Sequence, residues 1–257
     1  MKTLYISKKC ILIILIVAIL TEIILLTQLE KNTVEVFQNN YKSLDLMNQI
    51  NNTYENKEKI AYLTFDDGPT TIATPTILDI LKEENVKATF FVIGKNVNKN
   101  PEIVKRAYNE GHYIANHGYD HNNSTLYKSN ESFKDELEKT DQAIGNAIGV
   151  NDYNSHIFRF PNGFMAPANK KRKEEVLKVL KEMNYKYIDW NCLNNDSVKK
   201  YSKIELLNNL KRTSKNKGIL VILMHDTKDV SDSSSVLKES IKYLKSEGYK
   251  FKNFYEL

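Results

Sequence analysis

The sequence predicts an α/β domain built on a parallel sheet, preceded by a transmembrane helix. Three observations carry this. From residue 57 onward, short apolar runs alternate with stretches of helical period, the pattern of repeated strand–helix units. The strongest run, Gly218-Ile219-Leu220-Val221-Ile222-Leu223-Met224-His225, stays apolar until its last residue, as a strand buried on both faces does. Residues 10–29 are predominantly apolar, with Glu22 inside, and about 20 such residues span a bilayer.

In chain order, Lys2, Lys8 and Lys9 precede the apolar stretch. Positive flanks stay cytoplasmic, so residues 1–9 are expected inside and everything after residue 30 outside. No small-x-small cleavage site follows, so residues 10–29 read as an uncleaved single-pass anchor in a bacterial cell membrane. Residues 30–56, rich in Asn, Lys, Gln and Glu without Gly or Pro, read as a polar stalk, partly helical around Val34–Ile50. Residues 57–257 are enough for one domain with its own core. Strands are expected at Ile60–Phe65, Ala88–Ile93, Tyr113–Asn116, Ile157–Phe160, Tyr187–Trp190, Ile219–His225 and Tyr249–Phe251. Helices are expected at Thr76–Glu84, Pro101–Glu110, Ser132–Ile148, Lys173–Asn184, Lys203–Asn216 and Ser235–Glu247, four of them stopped by Asn85, Gly111, Asn184 and Gly248. Lys170-Lys171-Arg172-Lys173, followed by two glutamates, reads as a solvated helix start. Cys192 is alone in the domain, which excludes an internal disulfide and leaves stability to the core. The net charge of +5 comes without a basic stripe among aromatics, so nucleic acid is not an expected partner. A monomeric domain is expected.

The chemistry-bearing residues lie at the ends of the apolar runs. Leu63-Thr64-Phe65 leads into Asp66-Asp67-Gly68-Pro69. Neighbouring strand side chains point to opposite faces, so both acids can serve one pocket only if the chain bends directly after them, which Gly68 and Pro69 favour. Alone, this is equally consistent with an exposed turn. His117 and His121 are four apart, and on a helical turn both imidazoles face one side. With Asp67 they would complete a three-ligand zinc set; alone, they are equally consistent with a solvated loop. His225, at the mouth of the strongest strand, is well placed for acid–base work.

Taken in order, Thr64-Phe65-Asp66-Asp67-Gly68-Pro69, the His117/His121 pair, Phe158-Arg159-Phe160-Pro161-Asn162-Gly163, Asp189-Trp190-Asn191 and Leu223-Met224-His225-Asp226 resemble the successive motifs of the polysaccharide deacetylase family, also called the NodB-homology or carbohydrate esterase family 4 domain. The resemblance implies a distorted (β/α)7-8 barrel and a divalent metal, usually Zn²⁺, with Co²⁺ or others possible. The implied reaction is removal of acetyl groups from N-acetylated glycans. By position, Asp66 resembles the catalytic base, Asp67, His117 and His121 the metal ligands, and Arg159 the arginine that holds the base. Likewise His225 resembles the general acid, Asp196 its partner, and Leu223 a wall of the acetyl pocket. Trp190 is expected to flank the acetyl group, and the Pro161-Asn162-Gly163 turn to offer a backbone N–H to the oxyanion. Three positions depart from the family pattern: Gly118 in place of Ser or Thr, Asn162 in place of an aromatic residue, and Ser197 after Asp196 in place of Trp. The expected substrate is peptidoglycan at N-acetylglucosamine. The alternatives are chitin oligosaccharides, poly-N-acetylglucosamine, or an inactive anchored carbohydrate-binding module.

Overall fold

The computed structural model describes the backbone of residues 8–41, 44–53, 58–227 and 232–256, and within the first stretch the side chains of 15–31. The chain divides into two units, Met1–Ser43 and Leu44–Leu257. Among the described residues the first unit is a single helix, α1 (Lys8–Tyr41). It runs through the expected end of the apolar span at residue 29 and into the expected stalk. Among the described residues no helix is long and apolar enough to cross a membrane. The expected span begins at residues 10–14, whose side chains lie outside the described set, as does most of the expected cytoplasmic stretch 1–9. From Leu15 to Leu29 the large apolar side chains of α1 are exposed.

The second unit opens with a helix that overlaps the end of the helical part expected of the stalk, around Val34–Ile50. This helix, α2 (Leu46–Thr53), is followed by β1 (Ile60–Asp66), α3 (Ala73–Glu83), β2 (Thr89–Val92), α4 (Gly94–Lys99), α5 (Pro101–Asn109) and β3 (Tyr113–Asn116). Then come α6 (Asn123–Leu126), α7 (Asn130–Ile148), β4 (Ile157–Phe158), α8 (Lys170–Glu182), β5 (Lys186–Tyr187) and β6 (Cys192–Leu193). The unit closes with α9 (Lys203–Ser214), β7 (Ile219–His225), α10 (Ser234–Ser246), β8 (Lys250–Lys252) and a 3-10 turn at Phe254–Glu256.

All strands pair in parallel, in the order β5-β4-β3-β2-β1-β7-β6, with β8 added alongside the first half of β1. This is chain order written round a circle and broken between β5 and β6, so the barrel is curled but open there. Residues 188–191 cross the gap.

Strand periodicity divides β1 and β7 into an outer and an inner row. Ala61, Leu63, Phe65, Leu220, Ile222 and Met224 belong to the outer core, packed under the helices with Ile77, Leu81, Leu237 and Ile241. Ile60, Tyr62 and Val221 belong to an inner core with Phe91, Ala115, Ile157 and Ile188. That inner core is closed by Leu46 and Ile50 of α2 and by Phe254. Leu46 and Ile50 are four apart and share a helix face, which is why residues 44–53 belong to the domain. One inner row therefore runs Ile60, Tyr62, Thr64, Asp66 and changes from apolar to polar as it climbs.

Candidate active site

Asp66 ends β1 directly beside His225, its partner in register at the end of β7. Both are inward by the two-residue period. Asp67 reaches the same space because its φ is 79°, a left-handed conformation that turns its side chain off the strand's alternation. Asparagine and aspartate are among the few residues that tolerate it.

His117 follows β3, and its Nδ1 lies 2.8 Å from the Arg159 carbonyl oxygen. That bond makes Nδ1 the donor and leaves the Nε2 lone pair facing inward. His117 Nε2 is 3.4 Å and His121 Nε2 3.5 Å from Asp67 Oδ1. One ligand atom from each of the three residues lies within 4.8 Å of the others. Of the helical turn and the loop that the spacing left open, the structure has the loop. In it Gly118 (φ 85°) and His121 (φ 57°) are both left-handed, and the loop brings the two histidine rings to 5.1 Å between centroids. Asp67 Oδ1 is buried and has no hydrogen-bond partner. Burial pushes the Asp67 carboxyl up, but the imidazoles of His117, His225 and His121 outweigh it and hold it at about 2. Burial likewise opposes charge on His117, and the carboxylates of Asp66 and Asp67 override it and push its pKa up.

Arg159 is completely buried, a costly place for a charge unless its donors are used. Nη1 donates to Asp66 Oδ1 (2.8 Å) and to Thr64 Oγ1 (2.7 Å). Nε donates to the Ile188 carbonyl (3.1 Å) and Nη2 to the Asp189 carbonyl (3.3 Å). The guanidinium also lies over the Phe91 ring, 4.0 Å from its centroid. Asp66 Oδ1 is thus committed to Arg159, while Oδ2 faces His117 Nε2 at 3.8 Å.

Across the site, His225 Nδ1 is 2.7 Å from Asp196 Oδ1, and the His225 backbone N–H donates to Asp196 Oδ2 at 2.7 Å. Its Nε2 faces Asp67 Oδ2 at 3.9 Å. Burial disfavours the imidazolium, but the bond to and charge of Asp196, with the charges of Asp66 and Asp67, raise His225 to about 9.

The profile of the polysaccharide deacetylase family matches residues 53–188, just over half of the chain. The chain belongs to the polysaccharide deacetylase family. This deacetylase is a hydrolase of that class. It is 36% identical over 208 residues to a peptidoglycan-N-acetylglucosamine deacetylase of Bacillus cereus, covering 78% of this chain and 71% of that protein. It is 32% identical over 208 residues to the peptidoglycan-N-acetylmuramic acid deacetylase PdaA of Bacillus subtilis, covering 78% and 72%. Among solved structures, it superposes with a TM-score of 0.71 on the catalytic domain of a peptidoglycan N-acetylglucosamine deacetylase from Eubacterium rectale. That pair is 28% identical and covers 78% of this chain and 90% of that one.

The remaining sequence-predicted residues of the deacetylase lie around the same space. Leu223 is buried in the inward row of β7, paired in register with Thr64. Trp190 stands in the barrel gap, packed partly against the inner core and 5.8 Å from the Arg159 guanidinium carbon. A Cβ on Gly163 would lie 2.9 Å from the Trp190 ring, so glycine is what lets the Pro161-Asn162-Gly163 turn close on it. Sequence reasoning missed the supports. Thr64 splits its hydroxyl between Arg159 and the Ile222 carbonyl. Ser233, itself held by Asn194 (2.7 Å), donates to Asp196 Oδ2. Asp189 accepts from the N–H groups of Phe164 (2.8 Å) and Met165 (3.1 Å) and pins the loop after β4. Lys173, expected as part of a solvated helix start, is buried and donates to the carbonyls of Gly163 (2.6 Å) and Ala166 (3.2 Å) in that loop. Thr64 and Asp189 stood inside quoted motifs without a role of their own, and Ser233, Asn194 and Lys173 have no signal in a single sequence beyond their polar type.

Proposed function

We propose that this chain is a metal-dependent N-deacetylase that hydrolyses the acetamide of N-acetylglucosamine in peptidoglycan, releasing acetate. One observation carries the reading: Asp67, His117 and His121 turn lone pairs on one point, between a buried carboxylate and a carboxylate-bound imidazole. The orphaned Asp67 Oδ1 and the two imidazole nitrogens fit a borderline divalent ion. Zn²⁺ is the first candidate and Co²⁺ the second. Bound there, such an ion supplies positive charge that polarises a carbonyl and makes water a better nucleophile.

The chain's own residues handle the protons. Asp66, fixed through Oδ1 by Arg159, accepts a proton from the attacking water through Oδ2. The developing oxyanion finds a donor in the turn after Arg159. Pro161 has no N–H, and Gly163 donates to the Phe160 carbonyl at 2.7 Å, which leaves the Asn162 N–H. His225, held by Asp196 and protonated at neutral pH, gives its Nε2 proton to the sugar nitrogen as the C–N bond breaks. Leu223 and Trp190 wall the acetyl methyl. Residues 10–29, with exposed apolar side chains from Leu15 onward, serve as a single-pass anchor that holds the domain outside the cell beside its own wall.

The test is acetate release from purified wall and from defined oligosaccharides, read with mass spectrometry. We expect deacetylated N-acetylglucosamine, loss of activity on dialysis against a strong chelator, and recovery with zinc or cobalt. Intact acetyl groups on every substrate after metal loading would sink the reading. Deacetylation confined to N-acetylmuramic acid or chitin oligomers would correct the substrate.

A further inference from the structure

The loop between the two histidines has no regular structure, yet its backbone groups are taken up one after another. The Gly118 N–H donates to Asn116 Oδ1 at 2.9 Å. The N–H groups of Tyr119 and Asp120 both donate to Glu136 Oε2, at 2.8 and 3.3 Å. The carbonyls of Gly118 and Tyr119 accept from the N–H groups of Gly94 (3.0 Å) and Lys95 (2.8 Å) at the start of α4. Asn116 is tied in turn to α7, donating to the Leu137 carbonyl and to Asp141 Oδ1, each at 3.0 Å. Glu136 is also on α7 and is only 3% exposed. Burying a carboxylate is unfavourable unless it gains strong, specific bonds, and the bonds it has here go to this loop.

The two ligands are not fixed alike. His117 is held by its own ring, through the bond from Nδ1 to the Arg159 carbonyl. The His121 ring is positioned through its backbone, so its place depends on residues 118–120. Gly118 brings no side chain to stiffen them, and its Cβ position lies 3.7 Å from Glu136 Oε2. We propose that Glu136 is a positioning residue that sets the reach of His121 by holding the amides of Tyr119 and Asp120, and so fixes the metal-ligand spacing from outside the loop. This rests on the metal reading of the Asp67, His117 and His121 cluster.

The experiment measures Zn²⁺ dissociation constants by chelator competition, and the visible spectrum of the Co²⁺-loaded full chain, for wild type and three variants. Glu136→Ala removes the acceptor. Glu136→Asp keeps the charge but withdraws it by one methylene. Glu136→Gln keeps an acceptor oxygen at the same reach. Supporting groups outside a metal's ligands typically matter by about 10- to 100-fold in affinity, so Glu136→Ala and Glu136→Asp should weaken Zn²⁺ by about that factor and shift the cobalt bands. Glu136→Gln should restore both to near wild type. Far-UV circular dichroism confirms folding, and Glu136→Asp answers the question if Glu136→Ala does not fold. Wild-type affinity and spectrum in a folded Glu136→Ala or Glu136→Asp protein overturn this proposal alone. Failure of the wild type itself to bind Zn²⁺ or Co²⁺ overturns the metal reading and this proposal with it.

Discussion

The lower and upper halves of the barrel interior are lined by the same strands and obey different rules. Below, Ile60, Tyr62 and Val221 meet Ile50 and Phe254 in a closed apolar layer. Above, Thr64, Asp66, Leu223 and His225 continue the same inward rows of β1 and β7. The difference teaches where the work of each half lies. The lower half is satisfied by contact alone and contributes stability. The upper half holds charged groups fixed by ion pairs and hydrogen bonds, and the buried Asp67 Oδ1 has no hydrogen-bond partner. A change above should therefore cost activity with little stability, and a change below the reverse.

The largest effect should come from the top of β1. Asp66→Asn keeps the shape and the bond to Arg159 but cannot accept a proton. General-base catalysis contributes about 10²- to 10⁴-fold, and kcat should fall by about that factor in protein that circular dichroism shows to be folded. Acetate release at the wild-type rate would remove Asp66 from the mechanism.

The complementary break is at the bottom. Ile50→Ala opens a cavity in the inner core, and losses of this kind cost about 2–5 kcal/mol. Unfolding in denaturant should report a loss in that range, with kcat of the folded fraction unchanged. A stability unaffected by Ile50→Ala would return residues 44–53 to the stalk.

These two positions also mark what a single sequence can and cannot say. Asp66 was legible because a long apolar run stops at it, and β7 was legible for the same reason at His225. Ile50 was not, because Leu46 and Ile50 are two apolar residues in an Asn- and Gln-rich stretch, and only the open base of the barrel gives them something to cover. The middle strands were over-read. Ile157–Phe160 and Tyr187–Trp190 were expected, but only Ile157–Phe158 and Lys186–Tyr187 pair in register, and past them the ladder continues only through the N–H groups of Arg159 and Ile188, to the carbonyls of Asn116 and Phe158. The His117/His121 spacing was legible as a pair, but whether a helical turn or a loop carried it was not, since two left-handed residues do the bending. Glu136 was illegible, being one acid among several on α7.

The third test sharpens the upper half by isolating His225 from the other two imidazoles, His117 and His121. His225 is held at about 9, and as a general acid it works only below that value. Wild-type kcat/KM should fall as pH rises through about 9. Asp196→Asn removes the strongest support of the imidazolium, so the alkaline limb should move down by about 1–2 pH units. The acid side should stay where it is. An unmoved alkaline limb would assign that limb to another group.

The smallest effect lies outside the barrel interior, at a histidine buried against Phe90 of the outer core. His112 is 1% exposed and accepts the Ala88 N–H at Nδ1 (3.1 Å), so it is neutral in the folded chain. Burial lowers its pKa to about 4, helped by the charges of Lys87 and Arg106 and opposed by Glu110. The unfolded value is about 6.5. Between the two, the unfolded chain binds a proton that the folded chain refuses, so this contribution is complete above about pH 6.5 and is lost as pH falls toward 4. Its upper limit is roughly 3 kcal/mol from that interval. His112→Asn keeps an acceptor for Ala88 and does not titrate. The wild type should therefore lose more stability than His112→Asn between pH 7.5 and pH 5 (about 1–2 kcal/mol more), measured as the difference of denaturant midpoints. Equal losses in both proteins would mean that His112 takes up its proton in place, and that the outer core beside Phe90 tolerates a charge after all.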